Sequence, residues 1–141
     1  MVARSTAPAW IALGGLAGAG TRWVIVEAAP DSEMPWAVLA VNLAGSLLLG
    51  AVIAAWVARP TGEGPHLRLA VTTGFCGALT TFSTLAVDLA DRIRSDEWGT
   101  ALIWGLGSIA AGVAAAIVGA AATRAVPALR REPPATAGPA T

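Results

Sequence analysis

Between Val71 and Thr84 the chain runs Val71-Thr72-Thr73-Gly74-Phe75-Cys76-Gly77-Ala78-Leu79-Thr80-Thr81-Phe82-Ser83-Thr84, which places six hydroxyl side chains and two glycines inside an apolar stretch. Hydroxyls both donate and accept hydrogen bonds, whereas glycine and β-branched threonine weaken a helix. The pattern predicts a break in a helix, and discontinuous helices are a common way to build ion sites inside a membrane. A second polar group, Asn42, sits in the middle of another apolar run, where an amide is costly without a partner. Ser108 is similarly placed in a later run. These groups suit the holding of an ion. The alternative for any single hydroxyl is a bond to its own helix backbone, a common state of Ser and Thr in membrane helices.

The residues that are missing narrow the chemistry further. The chain carries nine Arg, no Lys and nine acidic residues, for a formal net charge of zero. Without lysine there is no phosphate-loop lysine, no Schiff-base lysine and no Ser–Lys dyad. One cysteine (Cys76) and one histidine (His66) exclude an internal disulfide and a Cys/His zinc cluster within one chain. The charges lie in loops and ends, with no footprint for nucleic acid. No nucleophile–base or metal constellation stands out, so an enzyme is not expected. Cys76 reads as a small buried hydrophobe, and His66, beside Pro65, as a solvated loop residue.

The elements that must position these groups follow from composition. Of 141 residues, 55% are hydrophobic and 13% charged, against roughly 25% charged in soluble domains. A bilayer core needs about 20 mostly apolar residues per spanning helix. Four stretches qualify, Pro8–Val26, Trp36–Val57, Leu67–Leu89 and Trp98–Val126. The expectation is an all-α integral membrane protein, one four-helix unit over residues 1–126, with the third helix broken mid-membrane. The Pro- and Ala-rich tail 127–141 reads as disordered. The first apolar run continues through Arg22-Trp23-Val24 without a polar cleavage region, which favours a retained helix over a cleaved signal. Gly14 and Gly18 form a GxxxG pair and Ser108 and Gly112 a small-xxx-small pair, both suited to close helix packing. Trp23, Trp36, Trp56 and Trp98 flank the apolar blocks as interface anchors.

Three segments carry a family resemblance. Val41-Asn42-Leu43-Ala44-Gly45-Ser46, the string Gly74 to Thr84, and Gly15-Leu16-Ala17-Gly18-Ala19-Gly20-Thr21-Arg22-Trp23 resemble the signature of the bacterial fluoride channels, the Fluc or CrcB family. The resemblance implies two such subunits embedded antiparallel, a dual-topology dimer, in the bacterial inner membrane. It implies a structural sodium ion held by backbone carbonyls at Gly77 and Thr80, and fluoride pathways along Asn42, Phe82, Ser83, Thr84 and Ser108, with Thr81 close to the break. Two positions depart from the pattern: Leu85 stands where a second phenylalanine is usual, and Val38 where a threonine is frequent. Arg22 reads either as part of an anion vestibule or as a side chain snorkelling to the interface.

The implied function is passive efflux of cytoplasmic fluoride, with the ion and the lipid bilayer as partners. Fluoride is tightly hydrated, so neutral donors must replace its water, and rapid conduction needs weak, multi-site binding. The alternatives are a proton-coupled small multidrug exporter and a non-conducting subunit of a channel heterodimer. An exporter of that kind wants a membrane-embedded carboxylate, and Glu27, the only acid near the first helix, lies at its loop end. Arg4, Arg59, Arg68, Arg124, Arg130 and Arg131 fall on the side of the termini, with Arg92 and Arg94 opposite. That bias predicts cytoplasmic termini and leaves open whether the partner is a second copy or an oppositely oriented homologue.

Overall fold

A computed structural model describes residues 6–30, 34–58 and 64–126. The tail 127–141 lies outside the described residues, as do Arg4, Arg59, Arg130 and Arg131 of the charge comparison. The described residues form four helices long and apolar enough to cross a membrane. They are α1 (Ala7–Glu27), α2 (Trp36–Ala58), a composite third span (Pro65–Arg94) and α6 (Trp98–Ala125).

The local signals for these elements are plain. Proline stands at the start of α1 and directly before α2, where its missing N–H is harmless and its φ is already helical. α1, α2 and α6 are apolar all round, as helices surrounded by lipid and protein must be. Trp23, Trp36 and Trp98 are exposed near helix ends. Trp56 instead lies under the Arg68 guanidinium, 5.8 Å from its ring centre.

The third span is assembled from pieces. α3 (Pro65–Leu69) leads into a π-helical segment, Ala70–Cys76, and then a single turn, α4 (Gly77–Leu79). Thr80 turns extended, with ψ of 150°. The helix resumes as α5 (Ser83–Arg94), past the Leu89 expected from the apolar run. The π turns fall on Val71-Thr72-Thr73-Gly74, where propensity is low and the Thr72 hydroxyl donates to the Arg68 carbonyl at 2.8 Å. Such turns occur mostly as single widened turns, often near functional sites.

Packing divides the bundle in two. α1 lies against the π segment and α4, while α2 runs along α6. Gly14 and Gly18 meet the backbones of Ala70 and Phe75, so the GxxxG pair serves an approach of α1 to the third span. The tight crossing of α2 on α6 is carried by Gly50 against Ala116 and by Gly119 against Leu47. Ser108 and Gly112, read from the sequence as a close-packing pair, border a groove, with Gly112 facing Ser46 of α2.

The bundle ends are tied by polar contacts. His66 is part of α3 and half-buried, not a free loop residue. It hydrogen-bonds the Thr6 hydroxyl at 3.2 Å and stacks near Trp10. At the other end Arg92 bridges Asp88 and Glu97, both at 3.1 Å. That pair clamps the turn into α6, where Asp96 takes a left-handed φ of 62°.

Candidate functional site

The interruption in the third span faces α2, and the two are joined by one side chain. Asn42 is half-buried on α2, next to the fully buried Val41. Its carboxamide oxygen accepts the Thr81 N–H at 2.7 Å, and its NH₂ donates to the Thr81 carbonyl at 3.0 Å. Both backbone polar groups of Thr81, which belong to two successive peptide units, are thereby satisfied by a residue from another helix. The expectation that a mid-membrane amide needs a partner is met here, and the partner is backbone.

Thr81 itself is buried, and its hydroxyl organises the restart of the helix. It lies 3.1 Å from the Ser83 hydroxyl and 3.2 Å from that of Thr84, and it accepts the Thr84 N–H at 3.4 Å. Ser83 and Thr84 therefore turn their hydroxyls inward to Thr81, although both residues are exposed. Thr80 does the reverse. Its N–H and its hydroxyl both go to the Cys76 carbonyl, at 3.1 and 3.0 Å.

These captures decide which carbonyls are left open. In a continuous helix the Thr81 N–H would bond Gly77 and the Thr84 N–H would bond Thr80. Here the first goes to Asn42 and the second to the Thr81 hydroxyl. Neither the Gly77 nor the Thr80 carbonyl receives a backbone N–H from the turn that follows. Gly77 is exposed and Thr80 half-buried.

A groove of about 380 Å³ opens beside the interruption, between α2, α6 and the start of α5. Asn42, Ser46, Thr80, Thr81, Phe82 and Ser108 supply its polar and aromatic lining, and the remaining wall is aliphatic. Phe82 is 69% exposed, so its ring is free to line a path instead of filling the core. Leu85 also borders the groove but is buried at 6%.

Towards the start of α2 a separate cavity of about 10 Å³, room for hardly more than one water-sized particle, shares Asn42, Leu85 and Ser108 with the groove. Asn42 and Ser108 reach it, and so does Trp104. The two departures from the family pattern, Val38 and Leu85, form part of its wall. Trp104 packs edge-to-face with Trp36 at 5.1 Å, and its buried indole N–H has no hydrogen-bond partner. An unpaired buried donor is costly, and the indole that carries it borders the same small cavity as Asn42 and Ser108. Another hollow of about 360 Å³ is also bordered by Trp104 and Ser108.

The structure thus gathers Asn42, Thr80, Thr81, Phe82 and Ser108 at one place. It sets Ser83 and Thr84 just behind them, bonded to Thr81, and the open Gly77 carbonyl one turn before Thr81. Arg22 is half-buried on α1 and borders none of these three cavities. Trp104 is the residue that sequence reasoning passed over. The available signal was a tryptophan well inside an apolar run, away from the interfacial depth that tryptophan prefers.

Four apolar spans with a polar-lined groove among them define a small multi-pass membrane protein. Within that class, the chain belongs to the CrcB family: residues 9–120 match the family described as CrcB-like protein, Camphor Resistance (CrcB). It is similar to the fluoride-specific ion channel FluC of Ignicoccus hospitalis, 40% identical over 78% of this chain and 89% of the relative. The protein of the same name from Novosphingobium aromaticivorans is 37% identical over 86% of this chain and 98% of the relative. That from Hahella chejuensis is 39% identical over 82% and 92%.

Proposed function

We propose that this chain is a subunit of a fluoride-selective channel that lets cytoplasmic fluoride leave passively through a bacterial inner membrane. The observation that carries the reading is the convergence of uncharged donor-bearing side chains on one small cavity, bordered by Asn42, Ser108 and Trp104. Neutral donors replace part of the water of a tightly hydrated anion. They do so without the fixed charge that would hold it too firmly for conduction. Phe82 adds the positive edge of its ring at the mouth. The relatives at 37–40% identity are themselves named fluoride-specific channels.

A sodium ion fits the interruption. Its donors are the Gly77 and Thr80 carbonyls, which the turn leaves without N–H partners, and carbonyl oxygens are the ligands a hard cation prefers. When bound, the cation supplies positive charge beside a pathway otherwise built from neutral groups. The partner subunit, a second copy or a homologue of opposite orientation, would meet the face carrying Phe82 and enclose the groove. With Leu85 buried, the ring usual at that position would have to come from elsewhere, which favours testing a homologous partner alongside the homodimer.

The exporter reading finds no support in the groove, whose lining holds no carboxylate. The deciding experiment is fluoride efflux from liposomes holding the purified protein in sodium buffer, alone and with a co-expressed homologue. Efflux of fluoride but not of chloride is expected. Retention of fluoride in both arrangements would sink the channel reading.

A further inference from the structure

We infer that Asn42 is a positioning residue for the cation: its carboxamide captures both the N–H and the carbonyl of Thr81, vacates the Gly77 carbonyl, and so makes that carbonyl available to sodium. The inference rests on the sodium reading above. It gives Asn42 a task separate from donating to fluoride.

The geometry argues this from both backbone groups of Thr81. An unbroken helix would send the Thr81 N–H to Gly77 and the Leu85 N–H to Thr81. Both the N–H and the carbonyl of Thr81 are instead committed to one side chain, at 2.7 and 3.0 Å. A carboxamide is the uncharged side chain that offers a donor and an acceptor side by side, so it stands in for a neighbouring peptide. No other group in reach does this, since the Thr81 hydroxyl is taken up with Ser83 and Thr84.

α2 is also held in register for the task. Gly45, about one turn after Asn42, is buried, and a Cβ there would come within 2.6 Å of the Thr80 methyl group. That methyl seats where Gly45 has no side chain, while Thr80 turns extended and Asn42 takes the next peptide. If the carboxamide is removed, the Thr81 N–H is a buried donor without a partner, and the acceptor that a regular helix would offer it is the Gly77 carbonyl. Closing that bond costs the cation a ligand.

The two roles of Asn42 separate by chemistry. An aspartate at this position keeps an acceptor for the Thr81 N–H, so Gly77 stays open, but its negative charge repels an anion in the groove. A leucine keeps neither hydrogen bond. A glutamine keeps both functions on a longer arm.

The test measures equilibrium binding of radiolabelled sodium to the purified full-length protein in detergent, beside fluoride efflux from liposomes over a range of sodium concentrations. Asn42→Leu is expected to weaken sodium binding about tenfold or more, the scale of effect that follows when a buried peptide group changes partner. Asn42→Gln should recover most of that loss. Asn42→Asp should bind sodium about as well as the unaltered protein and yet lose fluoride efflux. Unchanged sodium binding in Asn42→Leu, with efflux lowered equally at every sodium concentration, would overturn the inference and leave Asn42 a plain fluoride donor. If Asn42→Leu fails to assemble, Asn42→Asp decides alone, and loss of sodium binding in an assembled Asp variant refutes the clamp. Absence of sodium binding in the unaltered protein, with efflux indifferent to the cation, overturns the sodium reading itself and the inference with it.

Discussion

The two halves of the bundle use similar residues to opposite ends. α2 and α6 are rich in alanine and glycine, yet both run unbroken for 23 and 28 residues. The third span has the same small residues with threonine added, and it passes through a π segment, a single turn and an extended residue before helix resumes. Small residues alone therefore do not break a helix in an apolar setting. With no water to take over the released backbone groups, a break survives only where other protein groups do so. Asn42 and the Thr81 hydroxyl perform that service for the third span, and α2 and α6 have no need of it.

The comparison is broken most severely at the unbroken pair. Gly119→Leu would drive a side chain into the Leu47 carbonyl, and backbone cannot give way as a flexible side chain can. Overpacking typically costs about 1–3 kcal/mol, and the upper end or more is expected here. Size-exclusion of detergent-extracted protein should show little monodisperse material. A normal yield with an unchanged melting temperature would mean the crossing is looser than described.

Thr81→Val attacks the interrupted half. It keeps the shape but deletes the hydroxyl that gathers Ser83, Thr84 and the Thr84 N–H. Losing such a cap costs about 1 kcal/mol, so thermal unfolding in detergent should begin lower and fluoride efflux should fall. Unfolding indistinguishable from that of the unaltered protein would deny the hydroxyl its organising role.

Trp104→Phe sharpens the contrast between groups that hold the fold and groups that serve the passage. Its indole N–H bonds nothing in the fold, so stability should move by no more than about 0.5 kcal/mol. Efflux should drop about tenfold, as befits the loss of a hydrogen bond to a charged ligand. A stability loss with efflux intact would reverse that assignment.

The smallest effect is expected from neighbouring glycines on α1. Gly15→Ala points into open space and should raise stability by up to about 1 kcal/mol through helix propensity. Gly14→Ala, one residue earlier, meets the Ala70 carbonyl and should lower it. Melting temperatures of the two variants, measured side by side, would show whether the α1 contact is as close as the GxxxG pair requires.

Much of this architecture was legible in the chain itself. Lengths of about 20 apolar residues can do little but span a bilayer, so the four helices followed from composition. The Thr- and Gly-rich string marked where the third span would depart from regular helix, because propensity is a local property. Asn42 could be singled out as a residue that must have a partner. Which partner was beyond local pattern: Thr81 is 39 residues away, and only the seating of α2 on the third span brings the two together. The same holds for the inward turn of the Ser83 and Thr84 hydroxyls, for the removal of Arg22 from the groove, and for the stacking of His66 near Trp10. Above all it holds for Trp104. Residue type makes it an interfacial anchor by default, and only the packed helices leave its N–H buried and unpaired, with the residue bordering the same cavity as Ser108. Burial and hydrogen-bond pairing are properties of three-dimensional neighbourhoods, which a one-dimensional pattern constrains but does not assign.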